Sequence, residues 1–419
     1  MSHRSSSATP IRQNQTSCCW FYVIVITALC LLSVSATAQT FKVIHSFTGG
    51  DDGAYPYAGL TLDKQGNLYG TTNHGGVGDC FPDNFGCGTV YKLTRTQSGW
   101  TFQTLYEFTG TPDGGGPYGP VTLGPDGSLY GSTVGGGEST GCPSGCGAVY
   151  SLTPPNWTEK VLYSFEGGTD AFFPTGPVTF DSTGNLYGTT YIGGSVGPGA
   201  IWKLSPSNGS WAESLPWSFT GTADGGNPYQ GVTIDSAGNI YCTAIAGGMN
   251  NGGAAIELVP QKSGYAETNV HDFMGGAEGL LPEASLFPIK PGELIGATAY
   301  DGAHGGGTIY RLTSNQNAWN VRTLYSLPQG VGPYAKLILD RQGNLYGATE
   351  DGPGTSHGMV FKLTLTNQGL KGTLLHRFTG GADGSNPVGS LVVDKQGNIY
   401  GTTSVGGDAN YGVIFEITP

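Results

Sequence analysis

Short runs of alternating apolar and polar residues recur along most of the chain, and each is followed by a turn sequence rich in Gly, Asn and Asp. The segment Gly88–Thr94 (Gly-Thr-Val-Tyr-Lys-Leu-Thr) is a clear example. A period of two places successive side chains on opposite faces of a strand, whereas an amphipathic helix needs a period of about 3.6. The pattern therefore predicts many short strands joined by tight turns.

These runs belong to a unit that is repeated seven times. Its marker is Gly-Asn-Leu-Tyr-Gly-Thr-Thr, with substitutions in some copies, and successive copies are 61, 57, 54, 54, 51 and 54 residues apart. The copies begin at Gly66, Gly127, Gly184, Gly238, Gly292, Gly343 and Gly397. The two longest intervals contain close cysteine pairs, which indicates loop insertions into an otherwise constant unit. A period of this length is typical of stacked or circular repeat folds.

Each unit contains four segments with strand character. A short alternating run is followed by a D-x-x-G-N turn, the marker, a Gly-rich loop, a third strand and, after a polar turn, a fourth strand. In the turn, Asp can accept backbone N–H groups while Gly adopts a positive φ, which predicts a tight hairpin between the first two strands. The turn aspartates are Asp63, Asp181, Asp235, Asp340 and Asp394.

Four antiparallel strands per unit and seven units predict an all-β, seven-bladed β-propeller over residues 39–419. The last unit ends after its third strand, while the segment Phe41–Phe47 has the pattern of a fourth strand with no unit before it. We therefore expect this N-terminal strand to pair into the last blade and close the ring. An open β-solenoid is the competing architecture, although its rungs are usually shorter than these units.

The first 38 residues have the pattern of a secretory signal peptide. Arg4 and Arg12 precede an apolar run over residues 18–34, and the small residues Ala36-Thr37-Ala38 follow it. An uncleaved N-terminal anchor is the alternative, because the run is close to the shortest length that can span a bilayer. Either interpretation predicts that residues 39–419 lie outside the cytoplasm, secreted or at the cell surface or periplasm, with no further membrane span.

Cysteine placement agrees with an oxidising compartment. Cys80 and Cys87 form one close pair and Cys142 and Cys146 another, each within a Gly-rich loop, so we expect two local disulfides. A four-cysteine zinc site across the two loops is the alternative, although these spacings are not those of common zinc sites. Cys242 occupies a position where most repeats have Gly, and we expect it to be a small buried residue.

Composition excludes several classes of protein. The chain has 73 Gly and 25 Pro, only 11% charged residues and 11% aromatic residues, a composition that argues against long helices and against disorder. The formal net charge of −12 would repel a phosphate backbone, so nucleic acid is not an expected partner.

The recurring segments F-T-G-x-x-D-G-x-x-P, G-N-L-Y-G-T-T-x-x-G-G and G-x-V-Y-K-L-T resemble the GloVer-type tandem repeats of exported bacterial proteins. The resemblance covers residues 41–419 and implies export and a repeat scaffold, but no particular activity. The D-x-x-G-N-L-Y hairpin is also similar to those of NHL and gluconolactonase-like propellers, and that similarity implies a metal-dependent lactonase as one alternative.

Candidate chemistry lies in the loops that connect one unit to the next. An acidic residue is followed, four residues later, by Pro in six units, and Tyr follows that Pro in several. We call the acidic residues the loop acids: Asp52, Asp113, Asp170, Asp224, Glu278 and Asp383. The tyrosines are Tyr57, Tyr118, Tyr229 and Tyr334.

Singly, each loop acid has the pattern of a turn residue that accepts hydrogen bonds within its own loop. Collectively, six carboxylates around one opening, with Tyr beside them, could bind a glycan or a cation such as calcium. His74, His304 and His357 in loops of three units could add a divalent-metal site.

Three functions follow in order of preference. The first is a non-enzymatic, monomeric binding module at the cell envelope or outside the cell, with a polysaccharide or an envelope protein as partner. The second is a metal-dependent hydrolase or lyase that acts on a carbohydrate or lactone, and the third is a structural surface repeat protein. No residue is assigned a catalytic role. The sequence has no H-E-x-x-H motif, and its G-x-S-x-G matches, which begin at Gly137, Gly193 and Gly354, lie in Gly-rich loops with no predicted helix after them, which is not the context of a nucleophile elbow.

Overall fold

Short strands and tight turns make up the described part of the chain, which in this computed structural model comprises residues 39–80, 85–315, 318–352, 357–367 and 369–418. The predicted signal peptide, residues 1–38, lies outside the described residues. The helical elements of the described residues are the short 3-10 turns Gly168–Asp170 and Gly276–Glu278. Within the same residues, no helix has the length and apolar character needed to cross a membrane.

The strands are, in chain order, β1 Thr40–Ser46, β2 Thr61–Leu62, β3 Leu68–Thr72, β4 Thr89–Thr96, β5 Gly99–Glu107, β6 Gly115–Pro117, β7 Thr122–Leu123, β8 Leu129–Gly135, β9 Ala148–Thr153, β10 Thr158–Ser164, β11 Phe172–Pro174, β12 Thr179–Phe180, β13 Leu186–Ile192, β14 Ala200–Ser207, β15 Ser210–Ser218, β16 Thr233–Ile234, β17 Ile240–Ala244, β18 Ala254–Pro260, β19 Tyr265–Asp272, β20 Phe287–Lys290, β21 Glu293–Thr298, β22 Gly305–Asn315, β23 Ala318–Pro328, β24 Ile338–Leu339, β25 Leu345–Thr349, β26 Met359–Thr366, β27 Gly369–Arg377, β28 Val392–Val393, β29 Ile399–Thr403 and β30 Val413–Thr418.

The strands of the described residues form seven antiparallel sheets, one for each repeat unit, which confirms the predicted seven-bladed β-propeller. Blades one to six comprise, from the inner to the outer strand, β2–β5, β7–β10, β12–β15, β16–β19, β20–β23 and β24–β27. Blades two and three each carry one additional short strand, β6 and β11, on the second strand of the blade. The innermost strand is the shortest of the four in every blade, with two to four residues.

The N-terminal strand closes the ring. Blade seven has the order β28-β29-β30-β1, and β1 pairs antiparallel with β30 from Thr40 opposite Thr418 to Ser46 opposite Val413. The inner segments of blades one and seven also touch, because a Cβ added to Gly59 would lie 2.3 Å from the carbonyl oxygen of Ser390. The predicted closure is therefore confirmed, and it covers an edge that would otherwise be open to pairing.

The hydrophobic core lies between adjacent blades. One cluster combines Phe47 and Ile414 of blade seven with Leu60 and Tyr91 of blade one, and the other clusters are similarly shared. Within a blade, aromatic side chains of the third strand pack against the second Gly of the marker. A Cβ on Gly188, for example, would lie 2.4 Å from the ring of Trp202 on the next strand of the same blade. The close approach of an aromatic ring to the marker backbone requires Gly there.

Blade four departs from this pairing in a way that preserves the packed volume. Cys242 replaces the marker Gly and is buried, as predicted. It lies opposite Ile256, whereas each of the other six blades has Tyr, Trp or Phe opposite Gly at this place in the described strands. A larger residue on one strand is thus matched by a smaller one on its neighbour.

The hydroxyl groups of Tyr150 and Tyr310 are buried and have no hydrogen-bond partner among the described residues, whereas blades six and seven carry Phe361 and Phe415 at the same place. We expect Tyr150→Phe and Tyr310→Phe to leave the free energy of unfolding unchanged or to raise it by up to about 1 kcal/mol, because an unpaired buried hydroxyl costs desolvation energy. Denaturant unfolding measures this change. A loss above about 1 kcal/mol would contradict the expectation.

The D-x-x-G-N turns have the predicted chemistry. In the first, the Asp63 carboxylate accepts hydrogen bonds from the backbone N–H of Asn67 at 2.8 Å, from its side-chain amide at 2.7 Å and from the Tyr69 hydroxyl at 3.2 Å. The same contacts recur at Asp181, where burial opposes ionisation but the hydrogen bonds more than compensate and lower the pKa to about 2.

Both predicted disulfides are present. Cys80 is bonded to Cys87, and Cys142 to Cys146, each within one loop. The first closes the loop beside Gly110 and Gly115, and the second closes the corresponding loop of the next blade. The predicted insertions are therefore tethered loops between the second and third strands of blades one and two.

Candidate functional site

A central channel between the seven inner segments contains a cavity of about 750 Å³. All seven blades contribute to its lining, and one position is shared: the residue that directly follows the loop Pro of each unit. These residues differ from blade to blade, in the order Tyr57, Tyr118, Thr175, Tyr229, Glu283, Tyr334 and Val388. The cavity is therefore lined by unlike residues at equivalent positions.

The four tyrosines of this set, Tyr57, Tyr118, Tyr229 and Tyr334, are the ones selected from the sequence, and we call them the channel tyrosines. Tyr57 and Tyr118 stack with ring centroids 5.2 Å apart, and Tyr118 meets Tyr229 edge to face at 5.8 Å. The Tyr229 hydroxyl donates to that of Tyr118 at 2.6 Å. Three blades thus build one continuous aromatic wall.

The fourth channel tyrosine belongs to a second aromatic pair. Tyr334 lies edge to face with Tyr300 at 6.1 Å, and their hydroxyl groups are hydrogen-bonded. Tyr300 follows the second strand of blade five and is 46% exposed, so this pair reaches from the channel to the surface. Burial first, and then the hydrogen bond to Tyr300, raises the pKa of Tyr334.

Two carboxylates line the same cavity, and neither was identified from the sequence. Glu283 occupies the shared position in blade five, and Glu350 directly follows the second strand of blade six. Burial, and then the negative charge of Glu350, raises the pKa of Glu283 to about 7. Glu350 accepts a hydrogen bond from the Asn386 side chain at 3.2 Å. The signal for Glu283 was available: it replaces Tyr after a loop Pro.

One basic residue also lines the cavity. Lys336 lies two residues beyond Tyr334 on the inner segment of blade six, and its ammonium lies 5.6 Å from the centre of the Phe287 ring. Burial lowers the pKa of Lys336. Around it the lining is largely apolar, with Leu123, Phe180 and Ile338 towards the other end of the inner strands. The polar and charged groups are therefore concentrated at the tyrosine end.

The loop acids do not line this cavity. Each instead accepts a hydrogen bond from the outer strand, and the five aspartates also accept from their own loop: Asp52 from the Thr48 backbone at 3.0 Å and from His45, and Asp113 from Thr109 and the Tyr106 hydroxyl. Burial opposes ionisation of Asp52, but the bonds from His45 and Thr48 outweigh it and lower the pKa.

A ring donor seven residues before each loop acid is the sequence signal for this arrangement. The donors to Asp52, Asp113, Asp170, Asp224, Glu278 and Asp383 are His45, Tyr106, Tyr163, Trp217, His271 and His376, respectively. The geometry agrees with the interpretation of each loop acid as a turn residue. Their collective binding of a ligand stays a prediction.

The three loop histidines also lie apart from the cavity lining. His304 contacts the backbone oxygen of Ser326 at 3.3 Å, and His357 contacts the Ser385 hydroxyl at 3.1 Å. His74 packs against Tyr55 with ring centroids 5.5 Å apart. Nowhere in the described ranges do three or more His, Cys, Asp or Glu side chains come together in a group that could hold a metal ion.

Comparison with protein families identifies the repeat. Residues 30–191 and 173–415 match the Gloeobacter/Verrucomicrobia repeat, which confirms the resemblance seen in the recurring segments. No curated protein matches the chain.

Several solved structures of low sequence identity are similar to this chain over most of its length. The extracellular domain of a proposed one-component system from B. thetaiotaomicron has 10% identity and a TM-score of 0.54, with 89% of this chain and 39% of that chain covered. A fungal alcohol oxidase of the AA5 family has 12% identity and a TM-score of 0.52, with 91% and 77% covered. A gluconolactonase from Xanthomonas campestris has 14% identity and a TM-score of 0.40, with 70% and 82% covered.

Proposed function

This chain belongs to the Gloeobacter/Verrucomicrobia repeat family, and we propose that it is an exported binding module that holds part of a polysaccharide at the tyrosine end of its channel. The observation that carries the proposal is the convergence of four channel tyrosines, from blades one, two, four and six, on one cavity of about 750 Å³. This volume is within the range of small-ligand sites.

The chemistry of the lining suits a sugar. Tyrosine rings offer flat apolar faces for the C–H groups of a pyranose, and their hydroxyl groups donate and accept hydrogen bonds. Tyr118 and Tyr229 already form such a bond with each other, and Glu283 and Glu350 add acceptors in the same cavity. All four channel tyrosines also contact another aromatic ring, which limits the conformational entropy lost when a ligand binds.

Differences among the blades favour binding over a purely structural role. A scaffold needs only contacts that join neighbouring blades. Thr side chains supply such contacts by donating hydrogen bonds to the next inner segment, as Thr122 does to the Val178 carbonyl oxygen at 2.6 Å. The shared position instead carries Tyr, Thr, Glu or Val at the same place in seven blades. Structural repetition alone does not require this variation.

Oligosaccharide arrays followed by isothermal titration calorimetry test the proposal. We expect binding of at least one glycan class, and a loss of affinity of about tenfold for Tyr118→Ala, because the variant removes the central ring of the aromatic wall. Tyr118→Phe keeps the ring and is expected to retain most of the affinity. Leu365→Ala is the control, since Leu365 is 73% exposed and lies outside the channel lining.

The same experiment separates the alternative functions. Mass spectrometry of the bound oligosaccharide reports any cleavage, and turnover would favour the hydrolase or lyase. If no glycan binds, or if Tyr118→Ala and Leu365→Ala bind equally well with unchanged melting temperatures, the proposed site is wrong.

A further inference from the structure

Glu283 and Glu350 line the same cavity as the channel tyrosines. Burial is the largest cause of the raised pKa of Tyr118 and of Tyr334. The negative charges of Glu283 and Glu350 raise both pKa values further. The charge of Glu350 acts in the same direction on Tyr57. Two carboxylates from different blades are thus close enough to influence the same tyrosines on opposite sides of the channel.

This pair of carboxylates has no basic partner. Among the ion pairs of the described residues, none joins Glu283 or Glu350 to Lys, Arg or His, and the lowered pKa of Lys336 is caused by burial. Burial is the main reason why Glu283 resists ionisation, and repulsion by the charge of Glu350 adds to it. A positive group between them would relieve that repulsion.

The surroundings favour an organic cation over a metal ion. Aromatic faces attract ammonium groups through the ring quadrupole, and carboxylates supply the counter-charge. A calcium ion needs six to eight oxygen ligands, whereas the described residues around the cavity hold a pair of carboxylates and no group of three or more potential ligands. Tyrosine rings around two carboxylates suit a ligand with one positive charge and apolar C–H surface.

We infer that the ligand carries an organic ammonium group, as in an amino sugar with a free amine, and that this group binds between Glu283 and Glu350 against the channel tyrosines. The inference rests on the proposed function and specifies the class of glycan. The amine donates to both carboxylates, and the pyranose rings of the ligand lie on Tyr57, Tyr118 and Tyr229.

Two oligosaccharides that differ mainly in charge provide the test. The β-1,4-linked glucosamine tetramer carries free amines, whereas the N-acetylglucosamine tetramer has the same linkage and neutral amides. At pH 7 and low salt, we expect the amine tetramer to bind at least tenfold more tightly. Added salt should reduce this preference, because part of it is an ion-pair attraction screened by electrolyte.

Neutral variants locate the binding group. Glu283→Gln and Glu350→Gln should each reduce the preference for the amine tetramer to about threefold or less, and the double variant should abolish it. Glu166→Gln is the matched control, since Glu166 is exposed and lies outside the channel lining. Melting curves establish that the variants are folded, and neither channel variant should lose stability, because each removes a repelled charge.

The outcomes distinguish the inference from the proposed function. Equal affinity for the two tetramers would overturn the inference and leave glycan binding intact. Binding of tetramethylammonium without binding of any oligosaccharide, if lost in the double variant, would support the cation site and overturn the polysaccharide proposal. Stoichiometric calcium binding that is lost in Glu283→Gln would overturn the inference in favour of a metal site.

Discussion

Deletion of residues 39–47 is expected to abolish the cooperative folding of the propeller or to lower its melting temperature by more than 10 °C, a loss of roughly 8 kcal/mol or more for a chain of this length. The deleted strand provides the outer edge of blade seven, where it pairs with β30 over its whole length. It also carries Phe47, which is 0% exposed, and Phe41, whose ring packs on Phe415 at 5.7 Å.

The lost core packing and the lost backbone hydrogen bonds explain most of this effect. Removal of a buried Phe side chain from a core costs about 3–5 kcal/mol, and the lost backbone ladder adds to that cost. The deletion also exposes the backbone of β30 as a free edge, which favours aggregation. In a ring of blades, failure at the junction weakens the contacts of blade seven with blade one as well.

Differential scanning calorimetry and size-exclusion chromatography measure the result. Lys42→Ser is the matched control, because Lys42 lies on the same strand with its side chain exposed and is expected to change the melting temperature by less than 2 °C. Phe47→Ala tests the core contribution separately. If the deletion variant is monomeric and melts at the original temperature, closure by this strand is unimportant for stability.

Replacement of Glu159, Glu213 and Glu267 by Gln is expected to stabilise the protein at pH 8, with a rise in melting temperature of about 3 °C for the triple variant. Each of these residues lies on an outer strand, and each has a buried carboxylate oxygen without a hydrogen-bond partner among the described residues. Burial, and then the charge of Asp113 in the loop that connects blades one and two, raises the pKa of Glu159 to about 7.

The same pair of causes recurs in the next two blades. Burial and the charge of Asp170 raise the pKa of Glu213 to about 7, and burial and Asp224 act in the same direction on Glu267. Glu–Asp neighbours of this type are unfavourable when both are ionised. Blade one has Phe102 instead of Glu at the equivalent position. The Phe102 ring stacks on His45 with ring centroids 3.9 Å apart.

The direction of the pH dependence follows from these shifts. A carboxyl group whose pKa is raised on folding stabilises the folded state when protonated, so its contribution is fully present below pH 4.5 and is lost as the pH rises through 7. Asp181, with its pKa lowered to about 2, acts oppositely and stabilises the fold above its unfolded pKa. Stability should therefore be greatest at mildly acidic pH.

Melting temperatures measured from pH 4 to pH 8 test this prediction. The wild-type protein should lose stability between pH 5 and pH 8, and the triple variant should show a flatter profile and no gain at pH 4.5. Glu138→Gln, at an exposed position, should reproduce the wild-type profile. A triple variant that melts below the wild type at pH 8 would mean that these carboxylates make stabilising contacts when ionised.

The architecture could be predicted from the sequence alone because the sequence repeats the pattern of one blade seven times. The seven marker copies set the number of blades, the period-two runs set the strands, and the incomplete last unit together with the unpaired Phe41–Phe47 segment required closure. Turn chemistry was equally local: Asp63 meets Asn67 and Tyr69 within one hairpin. Contacts between residues a few positions apart can be predicted from spacing.

Only the tertiary structure decided which polar residues meet. Asp52 and Tyr57 are five residues apart, yet their loop runs from the outer strand to the channel, so the acid contacts His45 while the tyrosine stacks on Tyr118 of the next blade. Glu283 and Glu350 come from different blades and line the same cavity because the blades are arranged in a ring. Such contacts depend on how blades are arranged around an axis, and no local period along the chain contains that information.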